Sequence, residues 1–150
     1  MPLHPLIIHA VVALVPLAAV SALVFVVPKW RWLARWPAAG FAVLGALAVQ
    51  LAVMSGRDLE EDRNLESPIL HTHEEWGGRL QIAMWVFAAV MLVAFFAVPY
   101  VTRIAGAQDG PARVAVLEKP LLVVVALGAV AVLVLVVLTG DAGARAVWEQ

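Results

Sequence analysis

The chain has 150 residues, 63% hydrophobic and 14% charged, with a formal net charge of −1, whereas soluble domains are roughly half apolar and a quarter charged. Its apolar residues come in unbroken blocks instead of stripes, which excludes a water-solvated globule and points to a lipid bilayer. The absence of cysteine excludes disulfides, iron–sulfur clusters, thiolate zinc sites, thiol nucleophiles and c-type haem attachment, and no basic stripe suggests nucleic acid.

A hydrocarbon core of about 30 Å takes about 20 residues of helix. Four stretches qualify, Leu6 to Val27, Ala38 to Met54, Leu80 to Val98 and Leu121 to Leu138. The expected fold is all-α, an up-and-down transmembrane four-helix bundle forming one domain over residues 1–150. Pro5, Pro37 and Pro120 are expected at helix starts, where a missing N–H costs nothing, and Pro28 and Pro99 just past helix ends. Pro16 alone is expected inside a helix, where it frees a carbonyl near Val12.

The first span is followed, not preceded, by positive charge and is too long for a cleavable leader, so it is expected to stay attached. The loop after it carries Lys29, Arg31 and Arg35 among Trp30, Trp32 and Trp36, with no acid. Between Gly56 and Gly78 runs an acidic loop whose Asp58 to Asp62 stretch reads as solvated. The loop after the third span carries Arg103, Arg113 and Lys119 around a flexible stretch from Gly106 to Gly110. The positive-inside rule makes both basic loops cytoplasmic, placing the chain in the inner membrane with the N-terminus, the acidic loop and the C-terminal tail outside. Lipid tails compete equally for apolar side chains, so helix contacts are expected from small residues, Ala42, Gly45, Ala46, Ala126 and Gly128.

This topology gathers His4, His9, His71, His73 and Asp141 at the outer face, joined by Gln50 and Gln81. Polar groups at depth cost about 2 to 4 kcal/mol each against lipid, so those near span ends are expected to turn inward or toward water. His4, before Pro5, reads as a cap. His9 lies about one turn inside the first helix and is the better ligand candidate. Thr72 and Glu75 fit a capping box that starts a helix at His73. Within a helix His71 and His73 stand about 200° apart, and His73 is expected inward, His71 solvated. Asp141 with Gly140 also reads as a simple helix end.

Three segments carry a family resemblance: LHPLIIHAVVALVPLAA (Leu3 to Ala19), SGRDLEEDRNLESPILHTHEEWG (Ser55 to Gly77) and TGDAGARAVWE (Thr139 to Glu149). In order and interval they resemble the bacterial domain of unknown function 2231 family, particularly its actinobacterial branch. The resemblance implies a four-helix membrane protein whose His-Pro, second histidine and His-x-x-x-Gly elements fall on His4, Pro5, His9, His73 and Gly77. Two positions depart from the usual pattern. Asp141 stands where the family often has histidine, and Arg57 where it often has an acid. A carboxylate in place of that imidazole suits a hard or borderline metal ion better than a soft one. The family carries no established activity.

Two readings of the outer face follow. One is a metal- or haem-binding site, with His9 and His73 as core ligands and His4 and Asp141 completing a metal set; two imidazoles on facing helices can hold a b-type haem axially. The other is a non-catalytic membrane subunit or scaffold whose polar cluster is structural or binds a partner, either a second copy or another membrane subunit. Ion or proton translocation past His9 and the Pro16 kink ranks last, because no charged residue lies at mid-depth. No catalytic residue is assigned. Ser21 has no base nearby in sequence, no phosphate loop is present, and His73-Glu74-Glu75-Trp76-Gly77 has glycine where a zincin motif needs its second histidine.

Overall fold

Within hydrocarbon a backbone can hydrogen-bond only to itself, so valine-rich stretches that favour strands in water become helices. The structure is a computed structural model that describes residues 3–63, 68–99 and 115–148, the backbone alone for residues 3–5, 59–63, 69, 115 and 147. It consists of α1 (Leu3–Val26), α2 (Arg31–Arg63), α3 (Pro68–Ala97) and α4 (Ala115–Trp148). All four are long and apolar enough to cross a membrane, and the protein is a multi-pass membrane bundle. Each helix packs on its two neighbours in chain order, and α4 closes the ring against α1.

The helices are longer than the spans. At 33 and 34 residues, α2 and α4 run about 50 Å, against about 30 Å of hydrocarbon. Much of the excess lies at the end carrying His9 and His73, the histidine end. The acidic loop expected from Gly56 to Gly78 is therefore largely helix, as α2 continues to Arg63 and α3 starts at Pro68. Hydropathy marks where a helix leaves lipid, not where it stops, and Glu, Leu and Arg are good helix formers in water.

Several boundary expectations fail for the same reason. Pro37 and Pro120 lie inside α2 and α4, as Pro16 does inside α1. Thr72 does not cap a helix at His73; already inside α3, its hydroxyl donates to the Pro68 carbonyl at 3.1 Å. Gly140 and Asp141 do not end α4, which continues to Trp148. Pro28 and Pro99 do follow the ends of α1 and α3. The stretch from Gly106 to Gly110, with Arg103 and Arg113, lies outside the described residues.

Small side chains hold the helices together. Ala18, Ala19 and Ala22 of α1 and Ala38, Ala42 and Ala46 of α2 are fully buried, letting the two backbones come close. A methyl group on Gly45 would stand 2.8 Å from Met84 Cε, and one on Gly128 2.9 Å from the Phe87 ring. Ala126 is half-buried. Outward, Leu127, Val130, Val134 and Val137 of α4 are exposed, a face that water would not tolerate and lipid does.

At the opposite, basic end the loop arginines are structural. Arg31 is 5% exposed. It donates to the Phe25 carbonyl (3.3 Å), the Pro99 carbonyl (2.9 Å) and Glu118 Oε1 (3.1 Å). Arg35 donates to the Phe95 carbonyl from Nε and Nη2 at 3.1 and 2.7 Å and lies over the Phe95 ring. Helix C-termini leave carbonyls unpaired and carry partial negative charge. Two arginines at the start of α2 thus satisfy the ends of α1 and α3 and tie in α4. The sequence marks these residues as topogenic charges but gives no sign of their burial, because the carbonyls they meet lie in other helices.

Candidate functional site

At the histidine end the four helices part around a cavity of about 210 Å³. Its apolar wall is Ile8 and Val11 of α1, Val49, Ala52 and Val53 of α2, and Leu70 and Leu80 of α3. Its polar wall is Arg57, His73, Glu74 and Thr139. Val11, Val49 and Leu80 are buried and stand within or at the edge of the spans, whereas Arg57, His73, Glu74 and Thr139 belong to the overhanging turns. The result is an apolar floor with a polar mouth.

The best-defined group is the His73 imidazole, half-buried, with Nδ1 3.0 Å from the Thr139 carbonyl. A carbonyl oxygen only accepts, so Nδ1 carries the proton, and in the neutral ring Nε2 is left as a lone-pair acceptor. Among the described residues Nε2 has no partner. Thr139 is itself tied back by its hydroxyl, which donates to the Leu135 carbonyl at 2.8 Å. One turn on, a methyl group on Gly143 would stand 2.9 Å from His73 Cε1 and 3.1 Å from Nδ1. Glycine there is what makes room for the ring.

The other candidates lie elsewhere. His71 is exposed, 3.6 Å from Glu75, on the opposite side of α3 from His73, as two residues of helical rotation require. His9 is exposed and absent from the cavity wall. Ile8 and Val11 take the inward line of α1, and His9 shares the outward stripe with Leu6 and Val12. Asp141 is exposed and bonded to Arg145 at 3.0 Å; Thr139 and Gly143, four apart, hold the His73-facing line, and Asp141, two residues from each, stands about 200° round the helix from it. The His4 side chain lies outside the described residues. Among the described residues no three metal-capable side chains come together.

The segments that meet here are the sequence-distant ones. Ile8 and Val11 come from the first, Gly56, Arg57, Leu70, His73, Glu74 and Gly77 from the second, and Thr139 from the third. The description of a predicted membrane protein family, DUF2231, matches residues 1–150. The chain belongs to the DUF2231 family. No curated protein and no solved structure matches it. In this DUF2231 chain, side-chain chemistry singles out His73 but not Thr139, which contributes its backbone carbonyl, or Gly143, which contributes a gap. Their signal is the four-residue spacing, which puts a carbonyl and a gap on one face of α4.

A second polar group sits on the α2–α3 seam, level with Val49 and Leu80 of the cavity floor. Gln81 Nε2 donates to Gln50 Oε1 at 2.7 Å, and Trp85 Nε1 donates to the same oxygen at 3.2 Å. The shared Gln50 oxygen ties α2 to α3 beside the cavity floor.

Proposed function

We propose that this membrane protein is a binding module whose cavity at the histidine end takes one small molecule, with His73 as the polar anchor and the apolar floor receiving the hydrophobic part. One observation carries this reading: an imidazole fixed through Nδ1 by the Thr139 carbonyl, which leaves Nε2 as the accessible polar atom of a cavity otherwise mostly apolar. Ligand sites are commonly apolar cavities with a few placed polar groups.

The histidine end faces outward in this reading, because Lys29, Arg31, Arg35 and Lys119 belong to the other end and the positive-inside rule makes that end cytoplasmic. In a chain without cysteine, a single cysteine at Ser67 should take a membrane-impermeant label from outside, and one at Gly106 should not. The reverse pattern overturns the orientation.

A metal ion is the second reading, favoured by the same bond, since ligating imidazoles usually donate their other N–H to a carbonyl or carboxylate. His73 would then need further donors, from water or from His4. Haem held between His9 and His73 is not part of the proposal, because among the described residues the cavity wall contains one imidazole and His9 belongs to the outward stripe. Native mass spectrometry and elemental analysis of detergent-purified protein test both readings. A bound molecule lost in His73→Ala supports the first, stoichiometric metal lost in that variant supports the second, and protein with neither, before and after exposure to membrane extract or zinc, rejects both.

A further inference from the structure

Resting on the reading of the cavity as a ligand site, we propose that its ligand is a membrane amphiphile with a zwitterionic head, whose anionic group meets Arg57, whose cationic group meets Glu74, and whose alkyl chain leaves through the α2–α3 seam.

The charges argue for the head. Arg57 and Glu74 line one cavity, yet among the described residues neither takes part in an ion pair. Some charges at this end do find partners, Glu75 with His71 and Arg79 and Asp141 with Arg145, but all of those lie on exposed helix faces away from the cavity. An unpaired guanidinium and an unpaired carboxylate around one space suit a guest bearing both signs. A simple anion would gain Arg57 and be repelled by Glu74, and a simple cation the reverse. An ammonium group also supplies the N–H that the His73 Nε2 lone pair accepts.

The geometry argues for the tail. Glu74, Gly78, Gln81 and Trp85 follow one another at four-, three- and four-residue steps, one stripe of α3, and Gln81 and Trp85 place that stripe against α2 by their bonds to Gln50. Between Glu74 above and the Gln81–Gln50 bond below stands Gly78, with nothing within 4 Å of where a Cβ would be. Space is therefore open beside Gly78, next in the chain to Gly77 of the cavity wall. A cavity of about 210 Å³ takes a head and the start of a chain, and the remainder of the chain passes out beside the exposed Ile82 and Trp85.

The test uses the full chain in dodecyl maltoside and three probes of equal chain length: 1-lauroyl lysophosphatidylethanolamine, laurate and dodecylammonium. Binding is read by native mass spectrometry and tryptophan fluorescence. The zwitterion should bind at least tenfold more tightly than either singly charged probe. Arg57→Gln should lower its affinity about tenfold and turn the preference toward dodecylammonium, and Glu74→Gln should lower it similarly and turn the preference toward laurate. Gly78→Leu should weaken all three without lowering the unfolding temperature. If a singly charged probe binds as tightly as the zwitterion, or both charge variants leave affinity unchanged while His73→Ala abolishes binding, the zwitterion is overturned and the ligand site stands. If no probe binds the wild type and native mass spectrometry of the membrane-extracted protein finds no other bound molecule, both fall.

Discussion

The His73 imidazole and the Thr139 backbone carbonyl meet across the α3–α4 interface at 3.0 Å, joining residues 66 apart in the chain by a bond that neither sequence position announces. That bond fixes which imidazole nitrogen is left over, and its surroundings can be tested one atom at a time.

Gly143→Ala places a methyl group against His73 Cε1 and Nδ1. The ring must shift toward the cavity and its bond to Thr139 is weakened, at about 1 kcal/mol, the low end for overpacking, because open space receives the displaced ring. Gly140→Ala is the matched control, since nothing lies within 4 Å of its added carbon, and helix propensity alone makes it stabilising by about 0.5 to 1 kcal/mol. Thermal unfolding in detergent should separate the two variants in opposite directions. Equal behaviour would mean the ring is not held as described.

Arg31→Ala should be the most damaging single change at the basic end. It strips a partner from Glu118, Phe25 and Pro99 at once, and breaking a buried pair costs about 3 to 5 kcal/mol. The Glu118 side chain keeps 29% exposure, so the lower part of that range applies. Arg31→Lys should rescue little, because an ammonium lacks the planar fork that reaches separate acceptors. Full rescue by lysine would show that charge alone suffices.

Gln50→Leu should cost more than Gln81→Leu. The first leaves two donors, Gln81 Nε2 and Trp85 Nε1, without their shared oxygen, while the second removes a single bond. Bonds of this kind inside membranes average about 0.6 kcal/mol, so a double-mutant cycle in denaturant-titrated micelles should return a coupling near that value. No coupling between the two positions would rule out the pairing.

Asp141→Asn and His71→Gln should be nearly silent in both stability and ligand binding. Both residues are exposed and take part in pairs four residues apart on their own helices, interactions worth about 0.3 to 0.5 kcal/mol at a surface. Loss of a bound molecule or metal in Asp141→Asn would return that carboxylate to the site.

The solvent, the number of crossings and the helical state were legible in residues 1–150 because they depend on local quantities: how many apolar residues run together, and what a backbone must do without water. The inward placement of His73 relative to His71 was legible too, since helical rotation is the same in every helix. Helix ends were not, because apolar blocks report lipid contact while α2, α3 and α4 continue past it into water. Nor was the membership of the site. His9 and Asp141 have the chemistry of ligands, but which side of a helix faces the bundle is decided by how neighbouring helices pack, and Ile8, Val11, Thr139 and Gly143 hold those lines instead. Chemistry could be read from residue types one at a time; the pairing of Arg31 with three distant acceptors, and of an imidazole with a carbonyl and a missing side chain, exists only once the four helices are side by side.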